Sequence, residues 1–239
     1  MKLANYDYFA EFYDFICGNS NKFINYIKNK VAGKSKIKSI LEIACGTGNV
    51  LIPFSRKYQC YGIDFSKNML KIARKKSKRI EFKLADMRNF KLNKKFDLVF
   101  CVYDSINHLL TKKEWKQTFN RVHEHLNKKG LFLFDMNTLW SLKFKSKKGL
   151  QFYKTKSGYV LIDVLPLPFN KARWNIRLFK RISKDKYKLL NVIIDEKSFK
   201  ISQVKKMLKT KFKIVEVKTF KNRTGTDKSR RVFFLCQKK

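Results

Sequence analysis

Between residues 39 and 134 the chain alternates five times between short apolar runs and amphipathic stretches, and that rhythm leaves few folds open. Residues 40–44, 60–64, 80–85, 96–102 and 131–134 read as strands. Residues 48–57, 66–76 and 114–126 read as helices, the last with Trp115, Phe119, Val122 and Leu126 at 3.6-residue spacing. Parallel strands require crossover connections, so the pattern predicts a mainly parallel sheet wrapped by helices. Two further helices, at 6–16 and 21–31, are expected ahead of it, the second after a capping signal at Asn19 and Ser20.

Beyond residue 137 the period changes. Residues 152–154, 159–165, 173–181 and 186–194 alternate in twos, like an antiparallel meander. A helix at 202–211 and strands at 213–220 and 231–237 complete the chain. The expected organisation is therefore a core over 1–137, an antiparallel β insertion over 138–197 and a C-terminal completion over 198–239. The insertion should sit as a lid over the carboxyl ends of the parallel strands, where open α/β sheets bind ligands.

The chemistry is concentrated in the turn after the first strand, where Glu42, Gly46 and Gly48 precede a helix. Gly46 and Gly48 free the backbone to turn tightly and to approach a ligand. Asp64 closes the second strand, sixteen residues after Gly48, where a carboxylate can accept both hydroxyls of a ribose. Asp86 closes the third, beside Met87, placed to meet an adenine ring. The chain resembles class I S-adenosylmethionine-dependent methyltransferases over residues 8–137 and more weakly to its end. Their landmarks recur in order: Glu42 with Gly46 and Gly48, Asp64, Asp86, Phe96 to Val99, and the turn at Asn127 to Leu131.

The resemblance implies a Rossmann-like α/β fold. Its seven-stranded, mainly parallel sheet ends in an antiparallel strand and carries the antiparallel insertion. It implies S-adenosyl-L-methionine as cofactor, S-adenosyl-L-homocysteine as product and no metal. By carry-over Ala44, Gly46 and Gly48 line the methionine end, Asp64 holds the ribose, and Asp86, Met87 and Phe65 flank the adenine. Glu42, Met69 and Val102 join the cofactor set, and Tyr8 and Tyr13 resemble the tyrosines that cap the cofactor in some small-molecule enzymes. Dinucleotide oxidoreductases favour a third glycine, near which this chain has Ile52.

Methyl transfer from a sulfonium is an in-line displacement with a neutral leaving group, so alignment carries most of the rate. The loop at 102–108 lies where the family meets its acceptor, with His108 and Tyr103 as catalytic candidates. That loop lacks the Asn/Asp-Pro-Pro-Tyr/Phe motif and the Pro-Cys nucleophile of two nucleic-acid methylation chemistries. The insertion resembles that of small-molecule N- and O-methyltransferases. Trp140, Tyr153, Tyr159, Arg173 and Trp174 could shape an acceptor pocket, and Arg173 or Arg231 could pair with an anionic acceptor. His123 and His125, two apart on one helix, point to different faces and read as surface residues.

The charge of +38 raises a competing reading, an RNA or ribosome-associated enzyme using runs such as 74–79 and 143–148. Only 11 of the 56 basic residues are arginine and lysine is spread throughout, as a general compositional bias would also produce. A catalytically dead cofactor sensor is a third reading, disfavoured by the intact motif. The five scattered cysteines, the N-terminal residues 1–7 and the absence of an apolar run of ~18 residues predict a cytoplasmic chain without disulfides, structural zinc, leader or membrane span. A monomer or a homodimer is expected.

Overall fold

A computed structural model describes residues 6–32 and 37–239; the first five of the residues read above for a leader lie outside that range. Strands β1 (Ser39–Ile43), β2 (Gln59–Asp64), β3 (Glu81–Leu84), β4 (Phe96–Cys101) and β5 (Leu126–Asn137) come first. The meander β6 (Gln151–Thr155), β7 (Gly158–Leu167), β8 (Lys171–Arg181) and β9 (Tyr187–Lys197) follows, then β10 (Phe212–Lys218) and β11 (Arg231–Lys238). The main sheet has the order β10-β11-β5-β4-β1-β2-β3, with β11 antiparallel to both neighbours. The meander forms its own four-stranded antiparallel sheet in chain order.

Helices α1 (Tyr6–Cys17), α2 (Asn21–Val31), α3 (Lys67–Lys76), α4 (Lys112–Glu124), α5 (Leu139–Lys145) and α6 (Ile201–Leu208) surround the sheets. The period-2 alternation of β5 divides the core. Phe132, Phe134 and Met136 meet Trp115, Phe119 and Val204 of α4 and α6 on one face, while Leu131 and Leu133 meet α2 on the other. A third apolar cluster joins one face of the smaller sheet to Phe9 and Phe12 of α1 and Leu142 of α5.

The sequence and the fold part at several places. Residues 48–57 form no α-helix, only turns around the 3-10 segment Ile52–Phe54. Pro53 has no N–H to give and disfavours the helical region for Ile52 before it, which ends the i→i−4 ladder. Helix α5 was not foreseen; Thr138 caps it by accepting from the Ser141 N–H at 3.2 Å. Ser20 stands at the N-cap of α2 without capping it, because its hydroxyl lies 3.0 Å from the Tyr103 hydroxyl. His125 is buried: its Nε2 accepts from the Leu92 N–H at 2.9 Å and its Nδ1 lies 2.7 Å from the Arg121 carbonyl oxygen. His123 is half-buried, edge-on to Phe212. The five cysteines are unpaired, and no helix among the described residues is long and apolar enough to cross a membrane.

Trp115 is fully buried and its Nε1 donates to the Leu109 carbonyl at 2.9 Å, tying α4 to the end of the 102–109 loop. Trp115→Ala is expected to cost about 3–5 kcal/mol in urea unfolding. The same change at exposed Lys116 should stay within about 0.5 kcal/mol.

Candidate functional site

The carboxyl ends of β1 to β4 open into a cavity of about 950 Å³. Ala44, Gly46, Asp64, Ala85 and Asp86 come from those ends, with Phe65, Met69 and Met87 just beyond. The glycine loop turns through left-handed backbone at Ala44 (φ 56°), Gly46 (φ 53°) and Gly48 (φ 78°). The two glycines serve different needs. A Cβ on Gly46 would stand 3.8 Å from the Tyr13 ring, whereas one on Gly48 would press to 3.1 Å from Ile52 Cδ1 and 3.3 Å from the Phe82 ring. Gly48 is thus a packing position beneath the loop, and Gly46 holds backbone open to the cavity.

Asp64 organises this end. One carboxylate oxygen accepts from the Gly46 N–H at 2.7 Å and the other from the Ser66 N–H at 2.8 Å, while burial pushes its pKa up. Glu42 lies below the loop and does not line the cavity. Burial and then the Asp64 charge push it well above the usual carboxylate range, and its Oε2 has no hydrogen-bond partner. Val102 is likewise buried behind the wall. At the third strand, Arg88 takes both oxygens of Asp86, through Nε at 3.0 and 2.9 Å, and reaches Glu114 at 2.8 Å. The carboxylate expected to meet an adenine is therefore already half of an ion pair. Arg88 was not foreseen, although an arginine two residues past the aspartate was open to view.

Helix α1 forms one wall. Tyr6 and Tyr13, seven residues apart, fall on one face and line the cavity. Tyr8 lies five residues from Tyr13, points elsewhere and is 48% exposed, so the expected pair is corrected to Tyr6 and Tyr13. Asp7 and Asp14 share the same spacing and fix the helix. Asp7 accepts from the Ser66 hydroxyl at 2.6 Å and the Asn68 N–H at 3.0 Å; Asp14 accepts from the Thr47 hydroxyl at 2.5 Å and Asn49 at 2.8 Å.

Across from α1, the 3-10 turn Ser105–His108 brings His108 to the cavity, its Nε2 3.0 Å from the Tyr6 hydroxyl. Burial lowers its pKa; the Asp104 charge and the Asp195 backbone oppose that without cancelling it, so the imidazole is neutral at neutral pH. Its buried Nδ1 makes no full hydrogen bond. The Tyr103 ring reaches the cavity, but its hydroxyl is engaged by Ser20 and donates to the Cys17 carbonyl at 2.9 Å. The ring also stacks on Phe23 at 4.1 Å, which makes Tyr103 a structural residue rather than a reacting one.

Behind His108 lies a buried charged cluster. Arg231 donates to Asp104 at 2.7 Å and also to Asp135, Asn137 donates to Asp104 and, at 3.0 Å, to Glu196, and Lys145 stands 3.4 Å from Asp104. The cations outweigh burial at Asp104 and hold it down at about 2; burial pushes Asp135 up to about 6 and Glu196 to about 7. Arg231 is accordingly unavailable to an acceptor, and Arg173 is taken by Asp195 at 2.7 and 2.9 Å. Trp140, Tyr153, Tyr159 and Trp174 do not line the cavity either. Asn191, Ile193 and Asp195 of β9 do, and their alternate spacing on one strand face was the signal that could have found them.

The family profile described as "Methyltransferase domain" matches residues 40–130. A protein of Geobacillus sp. (strain WCH70), provisionally named a methyltransferase, is 27% identical over 98% of this chain and 99% of its own length. A solved S-adenosylmethionine-dependent methyltransferase from Clostridium acetobutylicum superposes with a TM-score of 0.84 at 25% identity, covering 97% of this chain and 98% of that one. Residues 40–130 thus carry the methyltransferase domain, and over nearly its whole length the chain is similar to S-adenosylmethionine-dependent methyltransferases. A dTDP-3-amino-3,4,6-trideoxy-alpha-D-glucopyranose N,N-dimethyltransferase of Streptomyces venezuelae is 33% identical to this methyltransferase over 41% of each chain. The cavity suits the cofactor that the family name carries: Gly46 leaves backbone open where a Cβ would intrude, and carboxylates stand at the ends of β2 and β3.

A carboxyl raised on folding binds its proton more tightly in the folded chain. The contribution of Glu196 is therefore complete below the unfolded value of ~4.3 and is lost as pH rises through about 7. Glu196→Gln keeps an acceptor for Asn137 and removes the titration. In thermal melts it should raise Tm over the parent at about pH 8, with the gain vanishing towards about pH 5.

Proposed function

We propose that this methyltransferase transfers a methyl group to a nitrogen or oxygen of a small-molecule acceptor by in-line displacement, releasing S-adenosyl-L-homocysteine. The observation that carries this reading is the charge of the cavity wall. In a chain of net charge +38, the lining includes Asp64, Asp86 and Asp195 and neither lysine nor arginine. Arg88 and Arg173 balance Asp86 and Asp195 from behind the wall, which leaves Asp64 as the lining carboxylate without a cationic partner among the described residues; that charge suits a sulfonium cofactor and an amine acceptor and works against phosphate.

In this reading Gly46 and Ala44 hold the methionine end of the cofactor, Asp64 its ribose, and Met87 with Phe65 its adenine; Tyr13 closes over it from α1. The cofactor, when bound, supplies an electrophilic methyl carried on sulfur. The chain's part is to align the acceptor and exclude water, for which α1 and β9 supply facing walls. An amine must lose a proton to become a nucleophile, and neutral His108, 3.0 Å from Tyr6, can accept it. Asn191 and Asp195 on β9 face the acceptor end. The Streptomyces venezuelae dimethyltransferase named above acts on an amino sugar, which supports an amine among the acceptors. An RNA acceptor has the overall charge in its favour, but of the run 143–148, Lys145 turns inward to Asp104 and the Trp174 ring.

Titration calorimetry should find S-adenosylmethionine binding that weakens about 10- to 100-fold in Asp64→Ala, the worth of a lost charge-assisted contact. Unchanged affinity would remove the cofactor assignment of this end. In methyl-transfer assays over amino-sugar nucleotides, simple amines and RNA, activity is expected with an amine. There His108→Gln should lower kcat by about 10²-fold while cofactor affinity holds. Turnover of RNA alone would overturn the acceptor reading.

A further inference from the structure

Strand β9 continues past the cavity that it lines. Asn191, Ile193 and Asp195 contribute to the lining from one strand face, and Lys197 is the next residue on that face, ~7 Å beyond Asp195. Its cross-strand partner on β8 is Lys171. From the other wall, Leu109 and Leu110 line the cavity and Lys112 opens α4 two residues later. Packing brings the two sides together. The Asn107 side-chain amide, next to His108, donates to the Lys197 carbonyl at 2.9 Å. The Lys197 Nζ lies 5.3 Å from the centre of the Phe199 ring, which meets Trp115 of α4 edge-on at 5.4 Å. Burial and then the charges of Lys171 and Lys112 lower the Lys197 pKa, so the three ammonium groups feel one another.

Nothing close by neutralises this trio. Among the described residues none of the three lysines forms an ion pair, and the carboxylates that border them are engaged, Asp195 by Arg173 at 2.7 Å and Glu114 by Arg88 at 2.8 Å. Abundant lysine explains cations on a surface, but here two local rules are broken at one spot. Like charges face each other across a ladder, and a lysine stands in the first turn of a helix, where the backbone dipole already presents positive charge. Such placements are kept where a ligand compensates them.

We infer that Lys112, Lys171 and Lys197 form an anion subsite on the rim of the cavity, and that the acceptor amine carries a phosphate group that docks there. The inference rests on the amine-acceptor reading above. The lining, with Asp64 unpaired and neither lysine nor arginine, admits the amine, while the rim holds the phosphate. An acceptor of opposite charge at its two ends then enters amine first, towards His108, which supplies part of the alignment that methyl transfer needs.

Calorimetric titration of the full chain with inorganic pyrophosphate tests the subsite without turnover. Binding should weaken at least tenfold in Lys112→Gln/Lys171→Gln/Lys197→Gln. It should persist in Lys28→Gln/Lys57→Gln/Lys75→Gln, which removes the same charge from exposed positions that do not line the cavity. If the first triple variant does not fold, Lys112→Gln alone, at an exposed helix start, should weaken binding at least threefold. In methyl-transfer assays with an amino-sugar phosphate and the same amino sugar lacking phosphate, the first triple variant should raise KM at least tenfold for the phosphate alone, with kcat unchanged. Equal loss of pyrophosphate binding in both triple variants would mean diffuse attraction and overturns the inference, as does a KM for the phosphate that the variant leaves unchanged. Failure to methylate either sugar would count against the amine reading, and the pyrophosphate titration would still decide the subsite.

Discussion

Where the acceptor loop meets the main sheet, one guanidinium is shared by two buried carboxylates. Arg231 opens β11, Asp135 lies fully buried in β5, and Asp104 begins the turn that carries His108. Asn137 and Lys145 extend the group to Glu196 on β9. With Glu196 protonated, two carboxylates face two cations, a balance that a buried cluster needs because an unpaired charge there is costly. The participants stand at 104, 135, 145, 196 and 231, so the cluster closes only when the last strand and the smaller sheet are in place. The position of the site therefore depends on the completed fold.

Much of the architecture was legible because period and crossover geometry restrict it. The strands of the alternation and the two-residue period within 152–194 appear where patterning put them, and the antiparallel last strand where the family resemblance implied it. Failures came where a local rule yielded to one residue or to tertiary contact. Pro53 broke a helix whose apolar spacing looked adequate, and Ser20 gave its cap bond to a tyrosine 83 residues away. His125 looked like a surface residue by helical phase, yet the Leu92 amide draws it inside.

The cavity was legible to the extent that its residues sit at strand ends. Asp64, Asp86 and the glycines are placed by the sheet itself, and the sequence places the sheet. The acceptor side depends on which edge of the smaller sheet turns inward, and aromatic residues were a poor guide to it. The aromatics of β6 to β8 pack elsewhere, and the lining falls to an asparagine, an isoleucine and an aspartate of edge strand β9. The pairing of Arg173 with Asp195 shows why isolated arginines mislead. Their partners are cross-strand neighbours, invisible until the register is known.

Helix α1 is bound to the rest by carboxylates at Asp7 and Asp14 that reach hydroxyls and amides of the glycine loop and the start of α3. It is a single helix of 12 residues, an element short enough to open locally at a fraction of the global unfolding free energy. A change at Asp7 or Asp14 would accordingly bear on how readily the wall formed by Tyr6 and Tyr13 opens, and so on exchange through the cavity, without touching the reacting atoms.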